Sequence, residues 1–249
     1  MTGSMLYSGQ IPNFFSLAKY DSDQVFPVYG FGADFGRDVD HCFQVGPTEE
    51  VHGVRAILDA YHHTLHSRFQ LSGPTDFSEV VQTAASRAVS QQEAAMAAGK
   101  QAYSVLLIVT DGAVTNVQKN AIVMKQCSNA PLSIVIVGVG NADFSSMKFL
   151  DDKAQPQGVP DIVQFVPFNA HCKSSVDLSS ATLQEIPQQL VNYFQRNGIQ
   201  PLAPIQPTDE DIVVEMEEEE IDLSLNFSDN GSIAVASGGV RTIDGFRTQ

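Results

Sequence analysis

Few side chains in this 249-residue sequence stand where chemistry would need them. His62, His63 and His66 cluster, and His62 and His66 would share a helix face, as metal-binding histidines can. The His-Glu-x-x-His pattern is absent and no third ligand stands nearby, so surface or helix-packing histidines are expected. His41-Cys42 and His171-Cys172 pair a base with a nucleophile on paper. Neighbours on a strand point to opposite faces, so neither pair is expected to work as a dyad. Asp151-Asp152 reads as a solvated loop before Lys153. Asp222-Leu-Ser224-Leu-Asn226 mimics a short metal-binding pattern, but it follows the run Glu217 to Glu220 instead of a buried strand. The sequence has no GxxxxGK phosphate loop, no GxGxxG and no GxSxG elbow. Gly30-Phe-Gly32 and Gly138-Val-Gly140 are bare pairs, expected to serve close chain packing at strand ends. No catalytic residue is assigned, and a non-enzymatic chain is expected.

The elements that must position these residues alternate. Val25 to Ala33 reads as a strand, and Asp40 to Val45 as a short edge strand. Val51, Val54, Ile57, Leu58, Tyr61 and Leu65 recur at helical spacing. Asp76 and Glu79 resemble a capping box, followed by the stripe Phe77, Val80, Val81, Ala84, Ala85 and Ala88. Tyr103 to Thr110 and Leu132 to Gly140 are apolar throughout, as strands covered on both faces are. Val117 to Ser128 reads as a helix, Phe144 to Leu150 as a short one, and Ile162 to Pro167 as a strand. Leu183, Ile186, Leu190, Val191 and Phe194 mark a last helix, with Pro187 in its first turn and Gly198 at C′. Such alternation implies a mostly parallel sheet with helices on both faces. Ligands of such sheets bind beyond the carboxyl ends of the strands. That rule singles out Thr110-Asp111-Gly112 and the segment Gly138 to Asp143.

Charge and composition bound the partners. The chain carries 29 acidic and 14 basic residues, a net of −15. That balance disfavours phosphate backbones and anionic lipid, so neither nucleic acid nor membrane insertion is expected. Three widely spaced cysteines suit a reducing compartment, and residues 1 to 10 lack a signal-peptide pattern, so a cytoplasmic location is expected. Residues 208–249 hold 11 acidic and 2 basic side chains, against 18 and 12 in the rest. The proposed division is a domain over 1–200, a Pro-rich linker over 201–207 and an acidic tail over 208–249. Within the tail, alternating Leu223, Leu225 and Phe227, the turn Asp229-Asn230-Gly231, then Ile233 and Val235 suggest a short hairpin over 222–236. A lone hairpin is marginal in water and would need to dock on the main domain.

Several segments together resemble the copine family. They are Asp21 to Ala33 (DSDQVFPVYGFGA), Leu71 to Ser78 (LSGPTDFS), Ile134 to Phe144 (IVIVGVGNADF), Asp161 to Phe168 (DIVQFVPF), and Leu190 to Phe194 before Gly198. The resemblance covers roughly Leu6 to Pro201 and implies an α/β, Rossmann-like von Willebrand factor A domain. In this domain class, three loops at the carboxyl edge of the sheet form a metal-ion-dependent adhesion site. An Asp-x-Ser/Thr-x-Ser motif, a Thr and an Asp supply its ligands, and one position stays open for a partner's acidic group. Thr75 matches the second loop and Asp111 the third. Their hard oxygens suit Mg²⁺ or Mn²⁺. The first motif ends the first, central strand, and no counterpart precedes Leu6, so a weakened metal site and a sheet lacking that strand are expected. The tail hairpin is not expected to fill the gap, though its insertion would satisfy the same backbone groups.

The resemblance implies a protein-protein interaction module with an unidentified protein partner. Family roles in calcium-dependent phospholipid signalling would need C2 domains supplied elsewhere. The alternative is the substrate-recruiting part of a copine-like RING ubiquitin ligase, although three scattered cysteines build no RING.

Overall fold

The computed structural model describes residues 18, 21, 23–36, 38–66, 70–112, 114–152, 158–172, 174–203 and 233–239. The other residues include the segment Asp222 to Ser232 of the expected hairpin and the run Glu217 to Glu220, which therefore lie outside the described residues. The first part of the chain forms β1 (Val25–Gly30), β2 (Ala33–Asp34), β3 (Val39–Asp40), β4 (Phe43–Gln44), β5 (Glu50–His52), α1 (Gly53–Leu65) and β6 (Gln70–Leu71). Then follow α2 (Ser78–Ala97), β7 (Tyr103–Thr110), α3 (Val117–Cys127), β8 (Leu132–Gly138), α4 (Ser145–Asp152) and β9 (Val163–Pro167). The last are α5 (Phe168–His171), α6 (Ser175–Leu183), α7 (Ile186–Arg196) and β10 (Ile233–Gly239).

Three strands, β7, β8 and β9, pair in parallel and are flanked by helices. The apolar runs explain this layer. Along β7, Leu107 and Val109 enter one core while Leu106 and Ile108 enter the other. Along β8, Val135 and Val137 divide from Ile134 and Ile136 in the same way. Helices α1 and α6 close the first core through Ile57, Leu58, Tyr61 and Leu178. Helices α2, α3 and α4 close the second through Val80, Val81, Ala84, Met124 and Leu150. A strand buried on both faces needs side chains that cost nothing to desolvate, and these runs supply them.

The expected, mostly parallel pattern stops at β7. The sheet order is β4-β1-β10-β7-β8-β9, with β5 also paired to β1. Every ladder on the β1 side is antiparallel, so the sheet is mixed. Against expectation, the tail takes part in the sheet: β10 lies between β1 and β7. Its seven residues face β7 in full register, from Ile233 opposite Val109 to Gly239 opposite Tyr103. On its other side it meets β1 over three pairs, Gly30–Ile233, Tyr29–Ala234 and Val28–Val235. The physical reason is the one that made a gap untenable: β1 and β7 would otherwise each present an unpaired edge between two cores. The ladder to β1 ends where β1 runs out of donors. The Val28 carbonyl accepts from Val45 N–H on the β4 side. Positions 27 and 29 therefore turn toward β10, and Pro27 has no N–H to give.

Other boundaries shift for local reasons. Asp76 and Glu79 form no capping box, because α2 starts at Ser78 and Asp76 Oδ1 accepts both the N–H and the Oγ–H of Ser78. Asp151 lies in α4 and not in a loop. Pro187 does sit in the first turn of α7, and Gly198 takes a left-handed φ of 66° after its end. The two Gly-x-Gly pairs serve close packing as expected. A Cβ on Gly30 would stand 2.2 Å from the Phe43 ring, and one on Gly138 would meet Phe144 and Phe165 at 2.9 Å.

Candidate functional site

The carboxyl ends of β1, β7 and β8 lie at one edge of the sheet, and backbone hydrogen bonds join the loops that leave them. After β1, the Gly32 carbonyl accepts from Ser72 N–H at 2.8 Å. The loop after β6 is tied to the loop after β7 twice: Thr75 N–H donates to Thr115 Oγ1 at 3.1 Å, and Thr115 N–H donates to the Thr75 carbonyl at 2.9 Å. The end of β7 is tied to the loop after β8, since Val139 N–H donates to the Thr110 carbonyl at 2.8 Å. The structure thus brings Thr75 and Asp111 to the same edge, on loops joined through Thr115. No hydrogen bond links their side chains.

Asp111 is half-buried, and burial raises its carboxyl pKa, opposed only by a bond from its own backbone N–H. No side-chain partner of Asp111 occurs among the described residues. Tyr61 of α1 lies within reach of that charge. Burial, then the Asp111 carboxylate, pushes its phenol up to about 12. The helix stripe marked Tyr61 as core, and nothing in its spacing marked it as a neighbour of Asp111. The third loop is polar and held from the side: Asn169 Nδ2 donates to the Gly140 carbonyl at 2.7 Å and to Asn141 Oδ1 at 2.9 Å. Asp143 is fully exposed and accepts from Ser145 N–H at 2.9 Å; that bond lowers its pKa.

Behind this edge, an ion pair between the buried Asp76 and the half-exposed Lys119 joins the start of α2 to α3. Lys119 Nζ lies 2.8 Å from Asp76 Oδ2. Burial opposes ionisation of Asp76, but the bonds from Lys119 and Ser78 outweigh it and hold its pKa down to about 2. The buried Asn120 accepts Phe77 N–H at 2.9 Å, completing the start of α2.

A second carboxylate group escaped the sequence reading. Asp151, Asp161 and Glu185 place ligand atoms within 4.8 Å of one another, an acidic triad with the donor chemistry of a metal site. It sits at the outer edge of β9, the last strand. Asp151 Oδ2 accepts Phe165 N–H, Asp161 Oδ1 accepts Val163 N–H, and Glu185 Oε2 accepts Gln189 Nε2. Each carboxylate already serves a local donor, and two of them cover N–H groups that an edge strand would expose. No motif joins these three positions, so only the fold could reveal them.

The remaining candidates separate. His62, His63 and His66 are exposed near the end of α1, and His66 Nδ1 meets the His62 carbonyl at 2.7 Å. None of them joins a metal-ligating group among the described residues. The Cys42 thiol donates to Thr83 Oγ1, and the Cys172 thiol faces the Asn169 carbonyl, so neither is bonded to its neighbouring histidine. Cys42 lines a cavity of about 540 Å³ with Tyr29, Glu49 and Arg87. Arg87 there binds Glu49 and Glu50. Burial pushes the Cys42 thiol up, away from a reactive thiolate. The pattern Asp222, Ser224, Asn226 lies outside the described residues. No described helix is long and apolar enough to cross a membrane.

Comparison with known proteins gives one family. The copine family model matches residues 13–202. Copine-C of Dictyostelium discoideum is 38% identical over 213 residues, 81% of this chain and 39% of that protein. Copine-E of the same organism is 40% identical over 194 residues, 74% of this chain and 33% of that protein. The match thus spans well under half the length of these relatives.

Proposed function

Because the chain belongs to the copine family, we propose that it is a non-enzymatic protein-interaction module of von Willebrand factor A type. Its binding edge is formed by Thr75, Asp111 and the loop Asn141 to Asp143. The observation that carries this reading is the half-buried Asp111 carboxylate, which has no side-chain partner among the described residues at an edge where backbone bonds join four loops. A fixed, polar, partly desolvated edge of this kind suits recognition of a partner's polar group. The thiols lend no support to covalent catalysis, since their bonds go to Thr83 and Asn169 and not to a base.

Divalent metal is a lesser part of this reading. Thr75 and Asp111 offer hard oxygens of the type that Mg²⁺ or Mn²⁺ prefers. Two protein ligands are a partial set for an octahedral ion. Any ion here would be held mostly by water and weakly, so the interaction reading does not depend on it.

Selection of random peptides on the immobilised chain, in buffers with and without Mg²⁺, tests the reading. Peptides enriched without metal should share a Lys, an Arg or another hydrogen-bond donor, and peptides that share an Asp or Glu should be enriched only with Mg²⁺; Asp111→Ala should weaken the binding of either set at least ~10-fold, a difference of about 1.4 kcal/mol. The thermal melt of the variant should stay cooperative. Peptides that bind Asp111→Ala equally well would move the interaction away from this edge.

A further inference from the structure

The space between β1 and β7 is a site for an extended strand, and three constraints define what fits it. Both walls face both cores, so an occupant lies between helices on each side and must be uncharged along its length. It need bond to β1 over only a few residues, because Pro27 ends that ladder. It cannot be missing, because two strand edges would then stand open inside the molecule. The segment Ile233–Gly239 has no charged residue and pairs with β7 along its whole length.

This occupant is attached by a long connection. Residues 204–232 number 29 and can span at most about 95 Å. The Gln200 carbonyl accepts from Gln101 Nε2, which places residue 200 beside the start of β7. Ile233 stands opposite Val109, six residues along the same strand, or roughly 20 Å away. The connection is therefore several times longer than the run along the strand that it spans, and β10 can reach beyond its own chain.

We propose that β10 is an exchangeable strand and that its partner is a second copy of this chain, each copy seating its Ile233–Gly239 between β1 and β7 of the other. The inference is independent of the Thr75 and Asp111 edge. Exchange keeps every ladder and changes only which chain supplies it. The balance is then set by the effective concentration of the tethered strand, on the order of millimolar for linked segments. Monomer dominates at micromolar chain, and the exchanged dimer grows toward millimolar. Residues 204–232 carry ten acidic and no basic side chains, so juxtaposing two connections is opposed at low salt and eased as salt rises.

The register supplies the test, because Val105 stands directly opposite Ser237. Two full-length chains are prepared with Cys42, Cys127 and Cys172 replaced by Ala, one carrying Val105→Cys and the other Ser237→Cys. They are mixed, refolded together at ~1 mM and separately at ~10 µM, concentrations that bracket the tether's effective concentration from near it to far below it, and then oxidised. The expected result is a mixed disulfide between the two chains in a species of twice the chain mass, formed at the high concentration and increased by NaCl. A third chain carrying both substitutions should close its disulfide within one chain at the low concentration. Closure of that third chain with no mixed disulfide at the high concentration would overturn the proposal. Like-with-like disulfides in yields equal to the mixed one would overturn it too, by showing unspecific contact. Failure of the third chain to close would overturn the seating of β10 itself. Capture of Val105→Cys by an added synthetic peptide of residues 230–242 carrying Ser237→Cys, without capture by the second chain, would assign the site to a foreign strand instead.

Discussion

The two halves of the central sheet are assembled by different rules. From β7 to β9 each strand is followed by a helix, each ladder is parallel, and each strand pairs with the next in the chain. From β10 to β4 each ladder is antiparallel, and the strand beside β1 comes from the opposite end of the sequence. The first half makes its contacts through crossovers of ordinary length. The second half depends on one long-range pairing that must form before β1 has a neighbour on that side. The cores on the two faces nevertheless run across both halves, so the weakly determined half holds part of the strongly determined one in place.

Removing β10 should separate the halves most sharply. A chain ending at Ser232 should lose its cooperative urea transition, and Val235→Pro should cost about 1–3 kcal/mol, since a proline there removes a ladder N–H and leaves its acceptor unpaired. Ile136→Ala, in the parallel half, should cost about 2–5 kcal/mol and leave the transition two-state. Circular dichroism against urea reads all three. If the chain ending at Ser232 keeps the midpoint and slope of the full chain, β10 is a passenger and the contrast between the halves collapses.

That contrast also explains what the sequence could reveal. The strand Tyr103–Thr110 was legible to the residue, because burial on both faces forces a run of apolar side chains. Helix α7 was legible from its apolar stripe and from Pro187 at its start. Helix α6, Ser175–Leu183, was not. Its three serines favour caps and turns over helix interiors, and of its apolar residues only Leu178 and Ala181 are buried, too few to mark a stripe. The segment Ile233–Gly239 shows alternation, but alternation carries no information on which strand it will meet. The edge with Asp111 was legible because it follows a readable strand, whereas the triad Asp151, Asp161 and Glu185 exists only through tertiary proximity.

The parallel half is further pinned by Asp76 and Lys119, which join the two helices that cover one of its faces. The carboxyl of Asp76 is held at about 2, below its ordinary value of 3.8. A depressed carboxyl contributes stability that is complete above the unfolded value and disappears as pH falls through the folded one. The contribution at neutral pH is about 1 kcal/mol, because solvent screens the half-exposed Lys119 end of the pair. Asp76→Asn should therefore be less stable than the native chain by about that amount at pH 7, and the difference should close between roughly pH 4 and pH 2. Asp21, whose carboxyl is lifted to about 6 by burial first of all, titrates in both proteins and cancels in the comparison. A difference that persists at pH 2 would mean that the ion pair is not its source.

The smallest effect belongs to Asp111, at the end of the strand that the two halves share. Its carboxyl is raised by burial, the opposite sign to Asp76. A raised carboxyl favours the protonated folded state, so stability is lost as pH rises through the folded value. Asp111→Asn removes that cost and should be neutral or slightly stabilising at pH 7, within about 0.5 kcal/mol. Any gain should vanish below the unfolded value, where the native side chain is already uncharged. Thermal melts at pH 7 and pH 3 read both parts. The magnitude is small, but its sign discriminates. A structural carboxylate loses stability when replaced, as Asp76 should. A carboxylate held ready for a partner loses none, because the contact that would repay its burial forms only on binding. If Asp111→Asn destabilises the chain by more than about 1 kcal/mol at pH 7, the carboxylate already holds part of the fold together, and the edge is structural and not receptive.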